Sequence, residues 1–237
     1  MKRYFVARSG TAPIYADSNF NSQCVSEALR GEFCEIISTK NEWLKLSLND
    51  GYIGWTHQFY GEKVFKKKIY PFKVIYPYKG NLFRPDYPFG SLIEKRINGA
   101  VGINTSLPID DVGKILKSLL QVPYKWGGKS SLGFDCSGLV QSVLNSLGFT
   151  IPRDAHDQFK FFDDFRIDIN DAQYGDLHFF GTKRKVNHVA FCSGDMGLIH
   201  AQGFVKEETL NAGDKKFNKE LLDNYLSTHS IRLKFDT

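Results

Sequence analysis

The stretch Phe134-Asp135-Cys136-Ser137-Gly138-Leu139-Val140 decides how this chain is read. From Cys136 onward, apolar residues at 139, 140, 143, 144 and 147 share one helical face, and Gly148 ends it. A cysteine therefore stands at the first turn of a predicted helix, where free N–H groups and the helix dipole favour a thiolate. That device would bring its pKa toward or below neutrality, so that alkylation proceeds well below about pH 8. Asp135 opposes this unless its side chain caps the helix or points at a substrate. Taken alone, Cys136 reads equally well as a buried structural thiol.

Two histidines lie downstream. In Val186-Asn187-His188-Val189-Ala190-Phe191-Cys192, strand alternation puts His188 with Ala190 and Cys192, and Val189 with Phe191 on the other face. His200, in Leu198-Ile199-His200-Ala201, follows the Ser193-Gly194-Asp195 turn. A hairpin here would make the imidazoles neighbours, one orienting the other, and the order Cys-His-His is that of a thiol hydrolase. His178, His188, His200 and Cys192 offer a competing zinc set. Neither an HExxH helix nor paired cysteines accompany them, so no metal and no cofactor is expected.

Around these residues the pattern is α+β. Acids open a helical stripe over 110–120, and Pro123 stops it. A further helix is predicted through Gln158-Phe159, followed by strands at 177–180, 186–192 and 198–201. Helices first and an antiparallel sheet afterwards place both packed on each other in one domain, taken as 108–237.

Residues 1–60 read as all-β. Cys34-Glu35-Ile36-Ile37, Trp43-Leu44-Lys45-Leu46 and Tyr52-Ile53-Gly54-Trp55 are separated by turn signals at 39–41 and 49–51. With Gly31-Glu32 before them, these runs resemble a bacterial SH3 (SH3b) domain, which implies a small barrel. Residues 61–107, with Pro71, Pro77, Pro85 and Pro88, read as a second abbreviated SH3-like unit, the alternative being a β-rich linker.

The whole chain has 237 residues, a net charge of +5 and 42% hydrophobic residues, ample for folded cores. The charge is too weak and dispersed for a nucleic-acid partner, and Lys66-Lys67-Lys68 reads as a solvated linker. No apolar run reaches the roughly 18 residues of a spanning helix, and Arg8 cuts the N-terminal apolar stretch short of a signal core. The expectation is a cytoplasmic chain with no membrane partner and free thiols at Cys24, Cys34, Cys136 and Cys192. A Cys24–Cys34 bridge is the alternative in a secreted setting. Cys192 reads as a small buried side chain.

Taken in order, Pro123-Tyr124-Lys125-Trp126-Gly127-Gly128, the Cys136 motif, Pro152-Arg153-Asp154-Ala155-His156-Asp157-Gln158, Gly175-Asp176-Leu177, His188-Val189-Ala190 and His200 resemble the NlpC/P60 family of cell-wall peptidases. The resemblance covers residues 110 to about 230 and implies a papain-like fold. Within the family the chain looks most like γ-D-glutamyl-L-diamino-acid endopeptidases, whose substrate is a murein peptide, L-Ala-γ-D-Glu-diamino acid. The resemblance implies Cys136 as nucleophile, His188 as general base and acid, and His200 as the orienting member. It puts Tyr124 beside the thiolate and the developing oxyanion, and Asp135, Ser137 and Trp126 along the substrate groove. It implies that Asp154 pairs with a free N-terminal ammonium, that Tyr52 closes that end of the groove, and that Glu27 supports it. Ala155 stands where the subgroup has serine, which bears on fine specificity. A non-catalytic wall-peptide-binding module and a papain-like amidase or acyltransferase are the competing functions.

Overall fold

The structure, a computed structural model, describes residues 2–78, 82–182 and 185–235. The chain forms two compact units. One comprises residues 1–105 together with 125–133, and the other comprises residues 106–124 together with 134–237.

In the first unit, β1 (Tyr4–Ala7), β2 (Thr11–Tyr15), β3 (Cys24–Leu29), β4 (Phe33–Lys40), β5 (Trp43–Ser47), β6 (Ile53–His57) and β7 (Gly61–Val64) form one sheet, ordered β3-β2-β6-β5-β4-β1-β7. Strand alternation builds its core: Leu44 and Leu46 point inward from β5 while Trp43, Lys45 and Ser47 do not. Phe5, Ile14, Ala28, Cys34 and Leu44, from five different strands, meet in a single cluster. A sheet of which five strands reach one core must curl around it, helped by bulges at Ile14/Tyr15 and Ile36/Ser38. The barrel implied by the sequence is nonetheless not closed: β3 and β7 end the ladder and do not pair among the described residues. The charged, half-exposed run Gly61-Glu62-Lys63-Val64 has the composition of an edge strand.

Three short strands, β8 (Phe72–Val74), β9 (Leu92–Ile93) and β10 (Ala100–Gly102), make a second sheet in the order β10-β8-β9. They carry a small core of Val74, Ile93 and Ala100. Cys24, Cys34, Cys136 and Cys192 are all free thiols.

Residues 125–133 are held in this unit by one buried acid. Glu27 is fully buried, accepts the Lys129 N–H at 2.9 Å, and forms an ion pair with the Lys125 ammonium. Lys129 also reaches Asp50 at 3.4 Å. Gly127 sits at φ +75°, and a Cβ there would lie 2.9 Å from the Cys24 carbonyl oxygen, so glycine alone fits the approach. The short ladder of β11 (Lys129–Ser130) and β12 (Gly133–Phe134) follows.

The second unit opens with α1 (Val112–Ser118), whose start is tightened into a 3-10 turn at Ile109–Asp111, so the predicted helix is shorter at both ends. Then come α2 (Cys136–Ser146), α3 (Ala155–Phe161), β13 (Arg166–Ile167), β14 (Leu177–Thr182), β15 (Lys185–Gly194), β16 (Gly197–Gln202), β17 (Phe204–Thr209), α4 (Lys219–Asp223), β18 (Tyr225–His229) and α5 (Ile231–Phe235). The six strands pair antiparallel in the order β13-β18-β14-β15-β16-β17. α2 lies on β15 and β16, and α3 on β15, which gives the expected helices-on-sheet arrangement. α2 is buried on nearly all sides, with Leu139, Val140, Val143 and Leu144 almost wholly removed from solvent. Among the described residues, no helix is long and apolar enough to cross a membrane.

The Glu27 anchor is testable. Replacing it with alanine leaves a buried N–H and an ammonium without their acceptor, so Glu27→Ala should destabilise the N-terminal unit by about 3 kcal/mol. Chemical denaturation followed by tryptophan fluorescence measures this; an unchanged midpoint would contradict the anchoring role.

Candidate active site

The helix that begins at Cys136 is fixed by a fork of hydrogen bonds. Asp135 is its N-cap, and its carboxylate accepts the Gly138 N–H at 2.7 Å. The same carboxylate takes both ends of the Arg153 guanidinium, at 3.0 Å (Nη1 to Oδ1) and 2.6 Å (Nη2 to Oδ2). Arg153 Nη1 also donates to Ser137 Oγ at 2.9 Å. Gln158, fully buried on α3, donates to the carbonyls of Ser137 at 3.0 Å and Pro152 at 2.9 Å. Asp135 and Ser137 are therefore not open groove walls. They are 8% and 6% exposed, and their polar atoms are engaged at the helix start. Arg153 and Gln158 were not singled out from the sequence. The signal available was an arginine followed five residues later by glutamine, next to a helix start that already carried an acid.

The two histidines meet as the hairpin reading required. His188 Nε2 and His200 Nδ1 are 2.8 Å apart, with the rings nearly perpendicular at 88°. His200 is fully buried, and its Nε2 lies 2.8 Å from Glu208 Oε2 on the neighbouring β17. Lys206 and Asn218 donate to the same carboxylate at 2.9 and 2.7 Å. Burial opposes ionisation of Glu208, but the hydrogen bonds from Lys206, Asn218 and His200 outweigh it and hold the carboxyl below its usual range.

An ionised carboxylate only accepts, so it fixes the tautomers along the row. His200 carries its hydrogen on Nε2 and presents a lone pair at Nδ1. His188 in turn carries its hydrogen on Nε2, which leaves its own Nδ1 free to accept a proton. Glu208 was missed because β17 reads Phe204-Val205-Lys206-Glu207-Glu208-Thr209, charged residues that resemble a solvated face.

Cys136 begins α2, which packs on β15 and β16. Its sulfur has the backbone N–H groups of Val189, next to His188, and Ser137 as hydrogen-bonding neighbours. Tyr124 is placed beside it by a bridge to Phe134 and by its N–H on the Gly203 carbonyl at 2.8 Å. Burial, and then the charges of Cys136 and Asp135, push the Tyr124 phenol up to about 12, so it stays a donor.

Burial also pushes the Cys136 thiol up to about 11, with Asp135 adding to it, and pushes His188 down to about 3 and His200 to about 4. The lowered thiol pKa expected from the helix start is thus not found. Desolvation exceeds the help of the two N–H groups, and burial favours the uncharged forms of both thiol and imidazole.

The other candidates are spread more widely. Asp154 is exposed and stands at the N-cap of α3, with Ala155 buried behind it. Trp126, Tyr52 and Glu27 belong to the first unit. There Trp126 is 61% exposed, Tyr52 packs against the strand core, and Glu27 is the buried anchor described above. His178 is bonded to Thr228 at 2.8 Å, and among the described residues no three His, Cys, Asp or Glu side chains converge on a possible metal position.

Comparison with known proteins is consistent with this geometry. The NlpC/P60 family model matches residues 121–223, and the bacterial dipeptidyl-peptidase Sh3 domain model matches residues 14–57. A gamma-D-glutamyl-L-lysine dipeptidyl-peptidase of Bacillus cereus is 27% identical over 230 residues, covering 74% of this chain and 66% of that protein. A protein of the same name from Bacillus subtilis is 38% identical over 106 residues, covering 43% of this chain and 35% of its own length. The chain thus spans about two thirds of the first relative and about a third of the second. A solved NlpC/P60 endopeptidase from Photobacterium damselae subsp. piscicida shares the fold, with a TM-score of 0.64 at 14% identity over 95% of this chain and 70% of that one.

Burial of the thiol has a measurable consequence. A raised thiol pKa means a smaller thiolate fraction at neutrality, so alkylation of Cys136 by iodoacetamide should be slow at about pH 7 and still rising beyond about pH 9. Peptide mapping of the alkylated chain against pH reads this directly; a plateau reached below about pH 7 would show a preformed thiolate instead.

Proposed function

Because residues 121–223 belong to the NlpC/P60 family and residues 14–57 carry a bacterial SH3 domain, we propose that this chain is a cysteine peptidase of peptidoglycan peptides. The observation that carries the proposal is the row His188, His200, Glu208, which fixes the free nitrogen of an imidazole one residue before Val189, whose N–H faces the Cys136 thiol at a helix start. The bond cleaved is the amide between the γ-carboxyl of D-Glu and the α-amine of L-lysine or another diamino acid. The names of the two Bacillus relatives support this substrate class.

In the proposed reaction, His188 Nδ1 takes the thiol proton as Cys136 Sγ attacks the γ-carbonyl carbon. Proton transfer accompanies attack because burial favours the uncharged forms of both partners. The carbonyl oxygen becomes an oxyanion, which the Cys136 N–H at the helix start and the Tyr124 hydroxyl receive. His188 passes its proton to the departing amine, the C–N bond breaks, and a thioester to Cys136 remains. Water then attacks the thioester with His188 as base, releasing the dipeptide and restoring the thiol. His200 and Glu208 keep the proton of His188 on Nε2 and stabilise the imidazolium that forms. Asp154, exposed beside this helix start, pairs with the free ammonium of an N-terminal L-Ala.

Incubation with L-Ala-γ-D-Glu-L-Lys and mass-spectrometric detection of L-Ala-D-Glu tests the proposal. Cys136→Ala should lower the rate at least about 1,000-fold, and undiminished cleavage would end the mechanism. Glu208→Ala should lower kcat roughly 10- to 100-fold with KM little changed, because it disturbs the tautomer row and touches no substrate. N-acetylating the substrate should cost about 10-fold or more in kcat/KM. Equal kcat/KM for both forms would remove Asp154 from substrate recognition while leaving the chemistry intact.

A further inference from the structure

A cavity of about 430 Å³ lies wholly within residues 1–105, and its existence is independent of the peptidase reading. Its rim carries Arg8, Arg30, Arg84 and Lys95, with Tyr70 and Tyr87 between them. Most of the local charge is already matched. Arg8 pairs with Glu62 at 3.0 Å and donates to the Tyr70 hydroxyl at 2.7 Å, and Arg84 holds Asp86 through two bonds of 2.9 and 2.6 Å. Glu94 also lines the cavity and is taken by Lys68 at 2.6 Å.

Two cations are left over. Arg30 and Lys95 form no ion pair among the described residues, although Asp86 lies within electrostatic reach of Arg30. Arg30 is half-buried, which makes an unmatched guanidinium costly. The fold nevertheless fixes it in place. One of its nitrogens donates to the Arg8 carbonyl, and its guanidinium carbon lies 4.8 Å from the centre of the Tyr87 ring. Its backbone carbonyl accepts the Leu92 N–H at 2.8 Å. Gly31, next to it, sits at φ +80°, with Leu92 so close that a Cβ would lie 2.3 Å from the Leu92 oxygen. Only glycine fits this turn, and the turn presents Arg30 to the cavity.

We propose that this cavity is a binding site for a small organic oxyanion, a phosphoryl or carboxylate group on a carbon skeleton. A guanidinium fork that still has donors to offer receives the oxyanion, with Lys95 as the second charge. Tyr70, Tyr87 and the apolar Leu92 and Ile97 contact the skeleton. The volume falls in the range of small-ligand sites, roughly 300–1,000 Å³.

The test is isothermal titration calorimetry on the full chain with three probes: glycerol 3-phosphate, citrate and uncharged glycerol. One or both oxyanions should bind saturably, glycerol should not, and affinity should fall as salt rises; the two anionic arms decide between phosphoryl and carboxylate. Arg30→Gln should weaken binding at least about 10-fold and Lys95→Gln about 3-fold, both with unchanged peptide cleavage. Lys95 is exposed, so its variant keeps the test decisive if Arg30→Gln unfolds. Absence of saturable binding by either oxyanion up to about 20 mM, equal binding of glycerol, or full affinity in a folded Arg30→Gln or in Lys95→Gln would overturn the site.

Discussion

The buried fork between Arg153 and Asp135 is the constraint on which the rest of the candidate site depends. One carboxylate caps α2 and neutralises a guanidinium that is itself out of water, so neither group can move without stranding the other. Because Cys136 is the first residue of that helix, the fork sets where its sulfur stands relative to β15. Gln158 adds a tie from α3 to the Ser137 carbonyl, so the loop carrying Asp154 is fixed to the same point. An ion pair of this kind adds little net stability, because desolvating both charges offsets their attraction. Its contribution is position.

Position matters because the histidine row transmits orientation from the far side of the sheet. Glu208 accepts from His200, His200 accepts from His188, and the nitrogen of His188 that remains free is thereby determined. Three adjacent strands, β15, β16 and β17, each supply one member, so the sheet register does what a flexible loop could not. The low dielectric that makes these bonds strong also disfavours the charged forms of thiol and imidazole.

Much of this was legible in the sequence wherever a periodic pattern and a special residue coincided. The start of α2 at Cys136 follows from a stripe at 139, 140, 143, 144 and 147, and the pairing of His188 with His200 follows from two strands joined by Ser193-Gly194-Asp195. What was not legible depends on contacts distant in sequence. Glu208 lies in a charged strand with no apolar alternation, and β18 lies beyond the last run that read as a strand. For Asp135 the sequence leaves cap and substrate ligand both open, and its bonds to Gly138 and Arg153 make it the cap. The SH3-like segment kept its strands and its core but not its closure, since edge pairing depends on how far the sheet curls, which alternation does not encode. The thiol shows the same limit: its helix position is visible in sequence, and the depth of burial that pushes its pKa up is not.

A Cys136 nucleophile implies a covalent acyl-enzyme on its sulfur. Rapid acid quench of the chain turning over L-Ala-γ-D-Glu-L-Lys, followed by intact-mass and peptide-map spectrometry, tests it most directly. An adduct of L-Ala-D-Glu less one water, mapped to Cys136 and discharged by hydroxylamine, is the predicted result. Turnover that continues after Cys136 has been blocked by alkylation, or an adduct mapped to another residue, would contradict it.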